Sequence, residues 1–177
     1  GQWCGKGRVD AVVVTLGTGV GGGIIIGGQM ISGFRGAGGE IGHIKMRDDE
    51  TDTCGCGKKG CLEQYASATG IVRMAKQKLE ADDSETVLRS LENLTAKDIF
   101  DAAKDVDKIA AELVEKLCRI LGTALANIAS IVDPEVFVIG GGVSRAGAIL
   151  IDGIKKHFTE RTFHACEATE ITLATLG

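Results

Sequence analysis

The sequence lacks an excess of positive charge: it carries 20 lysines and arginines against 24 aspartates and glutamates, and its isoelectric point is near 5.4. It has no basic stripe and no alternation of basic with aromatic residues, which argues against direct binding of nucleic acid. No apolar run approaches the roughly 20 residues that a membrane-spanning helix needs. No secretory signal is recognisable either, so the expected location is the cytoplasm.

Proline is almost absent, whereas apolar residues make up 44% of the 177 positions, enough for the core of one domain. The one proline, Pro134, follows residues 106–132, whose apolar side chains recur every three or four positions and predict a long helix that ends there. Strands that are followed by helices predict a single α/β layered domain over residues 1–177. The predicted strands are 11–16, 22–26, 29–31, 135–139 and 171–176, and the predicted helices are 62–65, 68–79, 82–94, 96–103, 106–132 and 146–158.

Glycine is concentrated in residues 16–23, LGTGVGGG, where five of the seven positions from 17 to 23 are glycine. The segment satisfies the G-x-G-x-x-G pattern of dinucleotide sites, but a predicted strand follows it instead of the helix that such a site needs. No Gly-Lys-Ser/Thr closes it, which excludes a Walker A loop. Two interpretations remain: a turn whose backbone N–H groups and Thr18 hydroxyl bind phosphate, or a hairpin whose glycines only provide positive φ angles. Five glycines exceed what a turn needs, which favours the ligand.

Cysteine occurs six times, and three of these residues, Cys54, Cys56 and Cys61, lie within eight positions. They end a long irregular stretch, residues 32–60, of a kind that is usually functional or held by cross-links. With His43 upstream they make a Cys3His set, which suits structural zinc, and the intervening glycines let the backbone fold around an ion. The alternatives are free thiols, which oxidise easily when exposed, and an iron–sulfur cluster, which normally takes a fourth cysteine. The other cysteines, Cys4, Cys118 and Cys166, are interpreted as small apolar fillers.

Glu40, His43 and Glu63 flank or belong to the same cysteine–histidine segment. A zinc knuckle would bring these two carboxylates and the imidazole together, and carboxylates accept hydrogen bonds from the hydroxyls of a polyol or sugar. Alternatively, Glu40 and Glu63 are surface residues or caps, since acidic residues are favoured where a helix begins. The spacing alone leaves both interpretations open.

Taken in order, these segments resemble the consecutive motifs of the ROK family (repressors, open reading frames and kinases). The similarity covers nearly the whole chain, and within the family the motifs are most similar to those of the ATP-dependent glucokinases of Gram-positive bacteria. The matching segments are 16–23 (LGTGVGGG), 38–43 (GGEIGH), 54–63 (CGCGKKGCLE), 65–70 (YASATG) and 138–144 (VIGGGVS).

The resemblance implies both a fold and a set of ligands. The fold would be that of the actin-like ATPases (ribonuclease H-like), of which this chain would be mainly the carboxy-terminal lobe: a mixed sheet flanked by helices, with a zinc-binding loop. Glucose or a related hexose and Mg-ATP would be the substrates, and a structural zinc would fix the loop that presents the sugar ligands. The implied nucleotide ligands are Gly17, Thr18, Gly19, Gly140, Gly141 and Gly142, the sugar ligands are Glu40, His43 and Glu63, and the zinc ligands are His43, Cys54, Cys56 and Cys61.

The resemblance also implies parts that this sequence does not show. The family's first phosphate motif and the catalytic aspartate of its Asn-Asp-Ala-Asn segment are expected upstream of Gly1, with residues 1–3 in the helix that trails that segment. The chain alone is therefore expected to bind its ligands without phosphorylating them. The longer protein is expected to be a homodimer that converts glucose to glucose 6-phosphate, and the alternative is a sugar-sensing repressor of the same family with its DNA-binding part missing. The intact glycine turn favours the kinase, because this turn tends to degrade in the family's repressors.

Overall fold

The computed structural model describes residues 9–175, and within them five strands form one mixed sheet. The strands are β1 (Ala11–Leu16), β2 (Val20–Ile26), β3 (Gln29–Met30), β4 (Val136–Gly140) and β5 (Glu170–Leu173). They lie in the order β3-β2-β1-β4-β5; β1, β2 and β3 are antiparallel neighbours, whereas β4 and β5 run parallel to β1. All five predicted strands are confirmed, although β2 begins two residues earlier than expected. The expected helix at residues 1–3, Cys4 and position 176 lie outside the described residues.

The central strands β1 and β4 determine where a ligand site can form. Val12, Val14 and Leu16 of β1 have no exposed surface, and all five residues of β4 are buried. Their parallel register pairs Thr15 with Gly140, so both strands end at the same edge of the sheet. The turns that follow the two strands are therefore neighbours at that edge, where ligands of open α/β sheets usually bind.

The described residues also contain five α-helices, which supply most of the core. The long apolar stripe of α4 (Lys108–Val132) packs in one buried cluster with side chains of the other helices and of β1 and β4, so the helices cover one face of the sheet. No helix within residues 9–175 is both long enough and apolar enough to cross a membrane. The helices are α1 (Glu63–Ala66), α2 (Ala68–Ala81), α3 (Ala96–Lys104), α4 (Lys108–Val132) and α5 (Ala148–Arg161).

Helix α4 has the predicted end but a later start. Val106 has a φ of 67°, which a right-handed helix cannot contain, and the Asp107 carboxylate then caps the helix by accepting from the Ala110 N–H at 3.0 Å. At the other end Asp133 has a left-handed φ of 43°, and Pro134 follows. The proline disfavours helical backbone at the residue before it, which explains why the predicted end is correct.

The helix predicted for residues 82–94 is wrong, because this segment contains only one 3-10 turn, Val87–Ser90. Side chains satisfy its backbone instead: the Arg89 guanidinium donates to the Ser84 carbonyl at 3.1 Å, and the Asp107 carboxylate accepts from the Val87 N–H at 3.0 Å. Such bonds give the backbone an alternative to helical pairing.

Candidate functional site

The glycine-rich segment connects β1 to β2, and its glycines are not there to provide positive φ. None of the five glycines between positions 17 and 23 has a left-handed backbone, so that interpretation of the turn is wrong. A Cβ at Gly19 would lie 2.6 Å from the Glu63 Oε2, and one at Gly22 would lie 2.5 Å from the Gly39 carbonyl oxygen. These two glycines make room for the segments that carry the candidate sugar ligands. Gly17 differs, because a Cβ there would meet nothing within 4 Å.

The second glycine turn follows β4 and packs directly on the end of β1. Gly141 has a φ of 86°, and a Cβ at this position would lie 2.6 Å from the Leu16 carbonyl oxygen, so only glycine fits. Gly142 then opens a 3-10 turn, Gly142–Ala146, that leads into α5. The sheet register thus places the two turns side by side.

A cavity of about 550 Å³ opens between these turns and α3. Of the predicted nucleotide ligands, Gly17, Thr18 and Gly142 line it, whereas Gly19, Gly140 and Gly141 do not. Its remaining wall includes residues that the sequence reasoning missed. Charged residues on α3 recur at intervals of three or four, a signal that could have identified one helix face. The missed charged residues are Lys97, Asp101, Lys104 and Arg145.

The cysteine–histidine cluster is assembled. One ring nitrogen of His43 and the Sγ atoms of Cys54, Cys56 and Cys61 all lie within 4.8 Å of one another. Cys56 Sγ is 3.6 Å from Cys61 Sγ, and Cys54 Sγ is 3.7 Å from His43 Nδ1. Tetrahedral zinc with Zn–S bonds of about 2.3 Å would place its ligand sulfurs about 3.8 Å apart, so the donor set and its spacing fit zinc.

Burial determines the protonation of the cysteines in this cluster. Burial raises the pKa of the Cys54 thiol to about 12 and also raises the pKa of Cys61. The pKa of Cys56 is lowered by the hydrogen bond from the Lys58 N–H. Buried thiols need a nearby positive charge before they ionise, and a bound metal ion provides one.

The three candidate sugar ligands surround one edge of the cysteine–histidine cluster. His43 Nδ1 faces Cys54, while its Nε2 lies 3.9 Å from Glu40 Oε2. Glu63 Oε1 accepts from Cys54 Sγ at 3.2 Å, and Glu63 Oε2 accepts from the Val20 N–H at 3.3 Å. Two carboxylates and an imidazole therefore lie between the cluster and the turn of residues 17–19, called the first glycine turn below.

A partly buried ionic network, which the sequence reasoning did not identify, links the loop of residues 43–61 to helices α1 and α2. The Arg73 guanidinium donates to Glu50 at 2.9 Å and to Asp52 at 2.7 Å, and the Tyr65 hydroxyl donates to Glu50 at 2.5 Å. Gln64 Oε1 accepts from the Cys61 N–H at 3.0 Å, which ties the last cysteine to the same network. The loop is thus held both at Glu50 and Asp52 and at Cys61.

Comparison with protein-family models matches residues 4–177 to the ROK family. The chain belongs to the ROK family. A glucokinase of Halalkalibacterium halodurans is 44% identical to this ROK chain over 177 residues, covering 98% of the chain and 54% of the relative.

Solved structures give the same answer. A ROK family glucokinase from Streptomyces griseus, in complex with glucose and AMPPNP, matches with a TM-score of 0.85 and 38% identity over 98% of this chain. A ROK family transcriptional regulator, a homologue of the Escherichia coli MLC protein, matches with a TM-score of 0.86 and 28% identity over 97% of this chain. The expected family and the actin-like ATPase fold are confirmed. The chain spans 58% and 43% of these two structures, about half the length of its relatives.

Proposed function

We propose that this ROK chain is the nucleotide- and sugar-binding part of a kinase that transfers the terminal phosphoryl group of ATP to a hexose, with glucose as the preferred substrate. One observation carries the proposal: the Glu63 carboxylate contacts the cysteine–histidine cluster with one oxygen and the amide of Val20, beside the first glycine turn, with the other. A candidate acceptor for sugar hydroxyls, the Glu63 carboxylate, thus lies in contact with a turn that is suited to phosphate. A kinase needs this juxtaposition of its two substrates.

The proposed roles follow from the chemistry of each group. Gly17, Thr18 and Gly19 would bind phosphate oxygens through amides and the Thr18 hydroxyl, and residues 140–142 would border the adenosine. Glu40, His43 and Glu63 would accept hydrogen bonds from sugar hydroxyls. Phosphoryl transfer depends mostly on such positioning and on charge stabilisation, to which the Mg²⁺ that accompanies ATP contributes. The group that accepts the proton of the sugar hydroxyl would lie in the part of the longer family proteins that this chain does not cover.

Calorimetric titration of the 177-residue chain with Mg-ATP and with glucose tests the proposal. Both ligands are expected to bind, and Glu40→Gln should weaken glucose binding by about tenfold or more, because a hydrogen bond to a charged group contributes about 1.5–3 kcal/mol. Mg-ATP affinity should not change in this variant, because Glu40 does not line the cavity between the two glycine turns. Glu167→Gln, an exposed acid next to a distant 3-10 turn, is the matched control. A chain that binds neither ligand would contradict the proposal.

We also infer that zinc occupies the Cys3His cluster in a structural role. Four protein ligands complete a tetrahedral site and leave no position for a substrate, which is the arrangement of structural rather than catalytic zinc. Elemental analysis with thiol titration tests this inference: about one zinc per chain is expected, and the exposed Cys56 thiol should react only after a chelator is added. A metal-free chain whose Cys56 reacts without a chelator would refute it.

A sugar-sensing repressor of the same family is the second candidate, supported by the structural match to a ROK transcriptional regulator. Both candidates bind a sugar, so the nucleotide separates them. Glucose binding without any Mg-ATP binding would favour the repressor, whereas binding of both favours the kinase.

We further infer a cytoplasmic homodimer, on the basis of the family resemblance. The proposed phosphoryl donor, ATP, is an intracellular metabolite, which supports the location. Sedimentation equilibrium would test the assembly, and a mass equal to one chain at micromolar concentration would count against the dimer.

A further inference from the structure

The junction between α1 and α2 holds the first glycine turn along its whole length. The Ala68 N–H donates to the Gly17 carbonyl at 2.8 Å, and the Thr69 hydroxyl donates to the Thr18 carbonyl at 2.6 Å. The next contact is the one already described between Glu63 and the Val20 N–H. Two successive carbonyls of the turn are therefore directed towards the start of α2.

These two contacts fix the directions of the peptide units, and with them the directions of the amides. In a trans peptide the C=O and the following N–H point in opposite directions. A Thr18 carbonyl held by Thr69 consequently turns the Gly19 N–H away from α2, and the Gly17 carbonyl does the same for the Thr18 N–H. Within residues 9–175, neither of these two amides has a protein acceptor. The turn thus presents two unpaired donors side by side, which is the arrangement that binds an anion.

The backbone that carries Thr69 is fixed by the cap of α2. Ser67, which is fully buried, accepts from the Gly70 N–H at 2.9 Å as the cap of α2 and donates to the Glu63 carbonyl at 2.6 Å. Thr69 is thereby fixed in the first turn of a capped 14-residue helix. The start of α2 therefore restrains the backbone of the glycine turn, whose glycines would otherwise allow many conformations.

We propose that Thr69 is a positioning residue for nucleotide binding: its hydroxyl holds the Thr18–Gly19 peptide in the orientation that aims the Gly19 N–H at a phosphate oxygen. This inference rests on the proposed nucleotide-binding role of the turn. Thr69 itself is not required to touch the nucleotide. Without its hydroxyl, the Thr18–Gly19 peptide can rotate, because glycine permits both orientations.

The test uses Thr69→Val, which keeps the shape of the side chain and removes the donor, and Thr69→Ser, which restores the donor. Thr123→Val is the matched control, because the Thr123 hydroxyl donates to the Arg119 carbonyl within α4, away from the turn. Should the valine variant fail to fold by circular dichroism, Thr69→Ala replaces it. Each protein is studied as the 177-residue chain by NMR of the Gly19 amide without ligand, and by titration with Mg-ATP and with glucose.

In Thr69→Val we expect the Gly19 amide resonance to move and the dissociation constant for Mg-ATP to rise about tenfold, the upper range for one lost hydrogen bond. Glucose affinity should stay within about twofold, and Thr69→Ser should recover both the resonance and the nucleotide affinity. An unmoved Gly19 resonance, or unchanged Mg-ATP affinity in a chain that binds Mg-ATP, overturns the inference. A moved resonance that serine restores, in a chain without Mg-ATP affinity, supports the positioning contact and instead refutes the proposed kinase.

Discussion

Glu50 belongs to the loop of residues 43–61, and only 8% of its side chain is exposed. Burial alone would raise the pKa of this carboxyl, but the hydrogen bonds from Arg73 and Tyr65 dominate and lower the pKa to about 2. A carboxylate this strongly stabilised as an anion connects the loop to α2 under all but acidic conditions.

Glu50→Gln should lower the free energy of unfolding by about 3 kcal/mol at neutral pH, because the pKa of this carboxyl falls from 4.5 to about 2 on folding. As the pH falls from 4.5 towards 2, the unfolded chain takes up the proton first, so the wild type loses this contribution and the two proteins converge. Urea unfolding at neutral pH and at about pH 2, with a chelator present throughout, measures the difference without interference from metal loss.

Asp49→Asn is the control for this prediction, because Asp49 is exposed and, within residues 9–175, its ion pair is with the nearby Arg47. It should change stability little at either pH. A stability difference between wild type and Glu50→Gln that does not narrow in acid would contradict the assigned pKa.

The clustering of individual side chains was predictable where the partners are close in sequence. Cys54, Cys56 and Cys61 are separated by glycines and form their cluster locally, so their spacing was enough. The Glu50–Arg73 pair was not predictable, since it depends on how the loop folds back onto a helix 23 residues away. Sequence spacing carries no information on that approach.

At the scale of elements, the missing side chains of the glycines in β2 leave room for a neighbouring segment. Three of its seven residues are glycine, and the segment that bears Glu40 packs against the gap left at Gly22. A side chain there would displace the Gly39 carbonyl and Ile41 from the strand. Glycine normally weakens a strand. The close approach of the segment that carries Glu40 is a physical reason why glycine is present at position 22.

Gly22→Ala should destabilise the chain by about 1–3 kcal/mol, as overpacking usually does, and should weaken glucose binding by moving the segment before His43. Gly17→Ala is the matched comparison, since its methyl group meets nothing within 4 Å. It should leave the unfolding free energy within about 0.5 kcal/mol and yet weaken Mg-ATP binding, because the methyl group points into space that the nucleotide needs. Thermal unfolding and calorimetry on both variants check this contrast, and equal losses of stability would refute it.

Strands and long helices were predictable because their periodicity is strong, and every predicted strand is present. The failure at 82–94 has a specific cause: the Arg89 side chain donates to the Ser84 carbonyl, and the Asp107 carboxylate, which lies beyond the segment, accepts from the Val87 N–H. The helical composition of the segment was therefore outweighed by side-chain hydrogen bonds. Likewise, the contribution of α3 to the cavity depends on tertiary packing against residues that are about eighty positions earlier in the chain.

At the scale of the whole molecule, both proposed binding regions belong to one sheet and its attached loop, within a chain about half as long as its relatives. If the base that activates the sugar lies in the other half, binding and chemistry are separable. The purified 177-residue chain should then bind glucose and Mg-ATP and produce no glucose-dependent ADP.

A coupled assay for ADP, with glucose added and omitted, measures this expectation. Turnover that depends on glucose and disappears in Glu63→Gln would place the whole reaction within these residues and overturn the assignment of the base. Turnover that survives in Glu63→Gln would indicate a contaminating enzyme instead.

The pairing of Thr15 with Gly140 also sets an order of assembly. The candidate metal ligands span only residues 43–61, so they can come together as soon as that stretch leaves the ribosome. The cavity between the two glycine turns requires two strands more than a hundred positions apart to align, and contacts between such distant parts of a chain form slowly. A metal ion captured early would therefore organise the loop before the second half of the sheet exists. If zinc occupies the cluster as proposed, zinc supplied during synthesis should raise the yield of folded protein more than zinc added afterwards.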